Sequence, residues 1–206
     1  MRDVVFLVAD GSMEQMLRGF FSRPAAHTRL GCAPFVFDAA QDVIVAARRD
    51  PEVYRLSHEL LRPYLSTHDH AVVMLDNDWE GSPGPSKIHE QVSERMRGSW
   101  EQFAVIVLDP ELEAWVWQEN QNVATALGCP TNFREILRRS GHWPAGRPKP
   151  KDPKDALQHL RIHHRADRSK AVFNRVAAQV SVKGCVDAAY QLLRDTLRDW
   201  FPEETL

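Results

Sequence analysis

Along the first half of the chain, short unbroken apolar runs alternate with stretches in which apolar residues recur every three or four positions. The runs are Val4 to Val8, Pro34 to Phe37, Val72 to Leu75 and Phe103 to Leu108. A continuous Val/Leu/Ile run of this length reads as a strand buried on both faces of a parallel sheet. Between the first two runs, Met13, Met16, Leu17 and Phe20 fall at i, i+3, i+4 and i+7, the stripe of an amphipathic helix. Ser12 with Gln15 three residues on makes a capping box, which predicts the helix start at that point. A second helix is predicted through Val53, Leu56, Leu60 and Leu61 up to Tyr64, and a polar one over 86–96. A further helix is expected from Asp109 as N-cap and Pro110 at the first helical position, with Glu111 and Glu113 in its first turns. Strands alternating with helices predict an α/β fold. Its core, residues 1–118, is expected to be a mainly parallel four-stranded sheet flanked by helices.

After Trp117 the strand signals stop. Short helices are predicted around 123–127 and 132–139, and a longer one begins at Asp152-Pro153 with Ala156, Leu157 and Leu160 inward. Two more follow, carrying Val172, Val176 and Val180, then Val186 through Phe201. Between 140 and 153 the chain holds four prolines and two glycines, which exclude regular structure there. Residues 119–206 therefore read as a helical C-terminal extension with a basic Pro-rich loop (140–153), packed on the core as one unit.

Charge adds an asymmetry that the apolar pattern does not show. Ten Lys or Arg against three Asp between Arg138 and Lys170 give +7 there, leaving −9 elsewhere in a chain of net charge −2. An acidic half and a basic stretch suit ion binding and phosphate contact respectively, although a solvated basic face has the same composition. Cys32, Cys129 and Cys185 are too far apart for a zinc or disulfide pattern. The opening residues are too short for a signal peptide and no apolar run approaches a membrane span, so a cytoplasmic location without membrane contact is expected.

The candidate chemistry sits where the apolar runs end. Asp76 and Asp78 follow the third run one residue apart, and Asp10 and Glu14 follow the first. Open α/β sheets bind ligands at the carboxyl ends of their strands. Acids gathered there repel unless protons or a cation neutralise them, and Mg²⁺ or Mn²⁺ is the simplest such cation. The same residues also suit turns and helix caps. His159 and His163, at i, i+4 beside His164, have zinc-binding spacing but lack the intervening Glu of a metalloprotease helix. Six tryptophans offer stacking surfaces for bases, though Trp115, Trp117 and Trp200 lie on apolar stripes that point to a core.

Taken together, Val8-Ala9-Asp10-Gly11-Ser12-Met13-Glu14 and Leu75-Asp76-Asn77-Asp78 resemble the two acidic signatures of the Toprim fold. That domain is shared by topoisomerases, primases and overcoming-lysogenization-defect nucleases. The segment Asp109-Pro110-Glu111-Leu112-Glu113-Ala114-Trp115, with the later Asp152-Pro153-Lys154, is similar to small stand-alone Toprim-like proteins of bacterial defence and ATPase-linked loci. In two places the chain departs from the family: Asp10 stands where Glu is usual, and Met13 where a small hydroxyl residue is often found. The resemblance implies a Mg²⁺- or Mn²⁺-dependent nuclease acting on nucleic acid, DNA ahead of RNA, in antiviral defence beside an ATPase partner. It implies Asp10, Glu14, Asp76 and Asp78 as metal ligands and catalytic acids, with Glu113 and Lys154 as additional members. Lys151, Lys154, Arg161 and Arg165 are the candidate phosphate contacts. Two other readings stay open: a catalytically silent Toprim-like module binding nucleic acid or a partner, and a phosphotransferase using Asp76 as nucleophile.

Overall fold

The computed structural model describes residues 1–203, so the last three residues of the extension, 204–206, lie outside the described residues. Four strands, β1 (Arg2–Val8), β2 (Val43–Val45), β3 (His68–Asp76) and β4 (Phe103–Leu108), form one sheet of order β2-β1-β3-β4. Every pairing is parallel. The α/β architecture and the helical C-terminal part are therefore as the apolar pattern predicts. The central strands β1 and β3 are buried from Val4 to Val8 and from Ala71 to Leu75. That burial is why both read as unbroken apolar runs.

Helices α1 (Gly11–Phe21), α2 (Ala26–Leu30), α3 (Arg49–Leu60) and α4 (Pro85–Met96) connect the strands. α3 packs on β1, β3 and α4, whereas α1 packs on β1 and β2. The crossover from β1 to β2 thus runs in the opposite direction from the next two, and the strand order reverses between β1 and β3. Beyond the sheet come α5 (Asn122–Leu127), α6 (Phe133–Arg139), α7 (Pro153–His163), α8 (Ala171–Gln179) and α9 (Ala188–Trp200). They close on the core: α8 lies along α1, α9 covers β4, and one continuous buried cluster includes Phe6, Leu157, Val172 and Leu197. No helix among the described residues is long and apolar enough to cross a membrane.

Three local expectations are corrected. Pro34 to Phe37 is not a strand; the outer strand is the short β2 instead. The run's two phenylalanines join an aromatic cluster, Phe35 stacking on Phe201 at 4.5 Å and Phe37 tilted against Phe21 at 4.5 Å, while Val36 is exposed. Its backbone is tied to a side chain, Val36 N–H donating to Asp3 Oδ2, rather than to a ladder. The capping box at Ser12 is also displaced, because Asp10 caps α1: its Oδ1 accepts from Ser12 N–H at 2.7 Å and Met13 N–H at 3.1 Å. A carboxylate on a helix N-terminus is favoured over a hydroxyl by the helix dipole.

The third correction concerns Asp109-Pro110, which starts no α-helix. Asn77 N–H and Asp78 N–H both donate to the Pro110 carbonyl, at 3.0 and 2.9 Å, and Leu112 N–H donates to Asp76 Oδ1 at 2.9 Å. With those groups committed to the β3 loop, Glu111 is extended and only a 3-10 turn forms over Leu112–Trp115. The irregular loop predicted over 140–153 is present up to Asp152. It is pinned by Trp143, 3% exposed, whose Nε1 donates to Arg147 O at 2.9 Å.

At the amino edge of the sheet lies Asp42, fully buried. It accepts from Arg2, from Asp38 N–H at 2.6 Å, and faces His68 Nε2 at 3.1 Å. Burial alone would raise its proton affinity, but those hydrogen bonds outweigh burial and hold the carboxyl below its usual range. This network anchors the end of the sheet opposite the candidate acids.

Candidate functional site

The register between β1 and β3 aligns Val8 with Met74. Asp10 and Asp76 each lie two residues further on, so adjacent parallel strands present them side by side at the carboxyl edge. This is also the point where the strand order reverses, the position at which open α/β sheets form a crevice. Asp50, in the first turn of α3, donates nothing but accepts: its Oδ1 takes the Asp76 N–H at 2.7 Å. Glu111 and Glu113 approach from the segment after β4. Burial raises the proton affinity of Asp76 well above that of an ordinary carboxyl, and the neighbouring charges of Asp50, Glu113, Asp10 and Glu111 raise it further. Glu113 is pushed up to about 7, by burial first and then by Glu111. Asp50 is raised by burial, with Asp10 adding to it. Five carboxyl groups therefore share one half-buried edge.

Cations surround this edge without neutralising it. Glu111, 2% exposed, is clamped by Lys154, whose backbone N–H donates to Oε1 at 2.9 Å and whose Nζ donates to Oε2 at 3.2 Å. Burial still keeps Glu111 above its ordinary value, while the attraction of Glu111 raises Lys154 against its own desolvation. Arg161 lies close enough to Glu113 to feel its charge, though desolvation dominates and lowers it. Lys170 reaches over Gly11, where a Cβ would lie 3.0 Å from its Nζ. A side chain at residue 11 would thus displace this lysine from the start of α1.

The remaining candidates make other contacts or none. Glu14 bonds Arg18 on its own helix, accepting from Nε at 3.0 Å and Nη2 at 2.8 Å. Asp78 is exposed in the loop past the strand, and its carboxylate makes no hydrogen bond or ion pair among the described residues. Lys151 and Arg165 are exposed, and Arg161 donates from Nε to Asp167 O at 3.2 Å. His159, His163 and His164 cluster with His142 on the extension, the closest rings 4.3 Å apart. Trp115 and Trp117 spend their ring N–H groups internally, on Asp187 and on Pro153 O.

Three members of the edge, Lys170, Glu111 and Asp50, are not residues that the sequence singles out. Lys170 carried no signal beyond the basic composition around it. Glu111 sits in the Glu-Leu-Glu segment, visible but not separable from a helix first turn. Asp50 was hidden because Pro34 to Phe37 imitated the outer strand; with β2 at its true place, an acid opening the next helix stands at a strand tip.

Among the described residues, no three His, Cys, Asp or Glu side chains converge as a ready-made metal-ligand set. The donor chemistry nevertheless fits a hard divalent cation. Asp10, Asp50 and Asp76 each hold a backbone N–H with Oδ1, and none of their Oδ2 atoms has a protein donor among the described residues. Mg²⁺ keeps several waters and needs only one or two such carboxylates. No family model, no curated protein and no solved structure matches this chain.

The edge has a measurable cost without a cation. Between pH 4.5 and about 7 the folded protein holds a proton on Glu113 that the unfolded chain has released. Stability therefore falls as pH rises through that window, by up to about 3 kcal/mol, less what solvent screening removes. His27 and His159, whose proton affinities burial lowers, act in the opposite direction. The readout is thus a comparison: in EDTA, wild type should lose more stability than Glu113→Gln between pH 5 and pH 8 in calorimetric melts. Equal slopes would mean that Glu113 titrates as an ordinary surface acid.

Proposed function

We propose that the chain is a Toprim-like phosphodiester hydrolase dependent on Mg²⁺ or Mn²⁺ and acting on nucleic acid, DNA ahead of RNA. The observation that carries this reading is the alignment of Asp10 and Asp76 on adjacent strand ends, each oriented through one oxygen with the other open. The chain's acid-Gly and Asp-x-Asp signatures support it further. A role in antiviral defence beside an ATPase partner rests on the resemblance alone.

Asp76 and Asp10, with Asp50 or Glu113, would hold the cation. When bound it would neutralise charge on the scissile phosphate and favour ionisation of an attacking water. Glu113, with a proton affinity near neutrality, can take a proton from that water or return one to the leaving oxygen. Lys170 and Lys154 offer ammonium groups to the phosphate oxygens. A half-buried Asp76 that tends to keep its proton is a poor nucleophile, which counts against the phosphotransferase reading.

The silent-module reading has one specific point in its favour: Asp10 is already employed in capping α1. Titration calorimetry of Mn²⁺ into the protein, followed by a supercoiled-plasmid assay on the same sample, separates the two. The enzyme reading expects saturable heat and cation-dependent nicking that EDTA abolishes. Heat without nicking selects the silent module, and no heat with no change in melting temperature removes the cation site altogether.

A further inference from the structure

The basic residues of the extension are gathered in a different place from the acids. A concavity of about 630 Å³ opens between α6, the Pro-rich loop and the turn that follows α8. Its lining carries Arg134, Arg138, Arg147, Lys149 and Lys183 against a single carboxylate, Glu119. Two of these cations are built into the wall: Arg134 donates to Gln118 O at 2.7 Å and lies over the Trp143 ring at 5.3 Å, and Lys149 pairs with Asp187 at 2.9 Å. Arg138, Arg147 and Lys183 are exposed and make no side-chain hydrogen bond or ion pair among the described residues.

A second concavity, of about 390 Å³, adjoins the first and shares Ser181, Lys183 and Gly184 with it. It adds Arg29, Arg194 and Arg198; Asp195 beside it pairs with Arg194 at 2.7 Å and Arg198 at 3.6 Å, while Arg29 makes no ion pair among the described residues. The shared turn is the ridge between the two, and Gly184 at φ +78° gives it a left-handed step. Just before the turn the chain is held by Arg23, 9% exposed, which lines neither concavity. Its Nε donates to Ala178 O at 2.8 Å and its Nη2 to Val180 O at 2.6 Å, which fixes the end of α8 just before the turn. Its Nη1 has no partner, and no carboxylate pairs with this guanidinium among the described residues. A buried guanidinium without a carboxylate adds to the positive field around this turn.

We propose that these two joined concavities form a track for the phosphodiester backbone of a nucleic acid, crossing the Ser181–Gly184 turn. The choice of a phosphodiester as the anion rests on the nuclease reading; the location and the charge do not. Trp117 and Trp143 in the lining are 2% and 3% exposed, so they offer no face for base stacking. Recognition therefore runs through phosphates and is indifferent to sequence. Trp117 also follows Glu113 by four residues, so their Cα atoms are within about 14 Å. A strand held in the track is within reach of the acidic edge.

The test is fluorescence anisotropy with labelled DNA oligonucleotides in EDTA, so that binding is read without cleavage. The variants are Arg138→Glu/Arg147→Glu/Lys183→Glu, its Gln counterpart, and a control, Arg62→Glu/Arg97→Glu, with exposed cations outside the track and outside the candidate phosphate contacts. The track predicts at least tenfold weaker binding for the Glu triple and an intermediate loss for the Gln triple. The dependence of affinity on salt should weaken by about 2–3 contacts in the Glu triple. Affinity should also rise with oligonucleotide length, and single-stranded and duplex arms identify which form is held. Unchanged binding in both triples, an equal loss in the control, or equal competition by inorganic tripolyphosphate at every length overturns it. Plasmid nicking on the same variants keeps the two ideas apart. Binding that depends on the track without nicking leaves the track standing and the nuclease fallen, and nicking with track-independent binding does the reverse.

Discussion

Asp76→Asn is expected to abolish cation-dependent cleavage, by about three orders of magnitude or ~4 kcal/mol of transition-state stabilisation, while leaving the fold intact. Asn keeps an oxygen for the Leu112 N–H, so the link between the β3 end and the 3-10 turn survives. What disappears is a half-buried carboxylate flanked by Asp50, Glu113, Asp10 and Glu111, whose ionised form desolvation already disfavours. In EDTA at pH 8 the variant should therefore melt no lower than wild type. Adding Mn²⁺ should then raise the melting temperature of wild type alone. Stability and activity move in opposite directions, which a merely structural Asp76 does not explain. A variant that cleaves like wild type would place the reacting centre elsewhere, and one that unfolds would make Asp76 a structural residue.

Gly19→Ala is expected to destabilise the protein by about 3 kcal/mol, at the upper end for overpacking a core. In an unencumbered helix interior the same change stabilises by about 1 kcal/mol, so the expected sign is reversed. The cause is the approach of α8 to α1. A Cβ at residue 19 would collide with the Asn174 carbonyl oxygen and lie 2.8 Å from both Asn174 Cα and C, all backbone atoms that cannot rotate aside. Relief requires α8 to withdraw, which opens the seam between the extension and α1. Denaturant unfolding of wild type and Gly19→Ala measures the difference, and equal midpoints would mean that the two helices separate freely.

The acids show how far a one-dimensional reading carries. Asp10 and Asp76 were legible because each ends an apolar run, and the end of a buried strand is a local property. Glu113 and Lys154 were legible through the segment that resembles the Toprim-like proteins. Glu14 and Asp78 come with them from the i, i+2 spacing, the first turn of the next helix and the resemblance, none of which says what else each side chain meets. The helical period that sets Glu14 in the first turn of α1 also sets Arg18 one turn on, and the two bond each other. Beyond Asp76 the backbone N–H groups of Asn77 and Asp78 are held by Pro110 O, which turns the chain and leaves Asp78 in solvent. The basic stretch is visible in sequence only as a composition; folding brings Arg138, Arg147 and Lys183, which have no ion pair among the described residues, into one groove.

By itself, the sequence determined the parallel α/β core, the helical extension, the irregular Pro-rich loop and the edge at which the acids stand. These follow from apolar periodicity and from the φ limits of proline and glycine, which act over a few residues. Only the tertiary structure decided that Asp10 rather than Ser12 caps α1, that Asp50 and Glu111 join the acids, and that the segment after β4 forgoes an α-helix. It also decided how closely α1 and α8 approach and where the basic groove opens. Each of these outcomes is a competition for a hydrogen-bonding group or for space between residues far apart in sequence. Such competitions are settled when the crossing chains bring the rivals within reach.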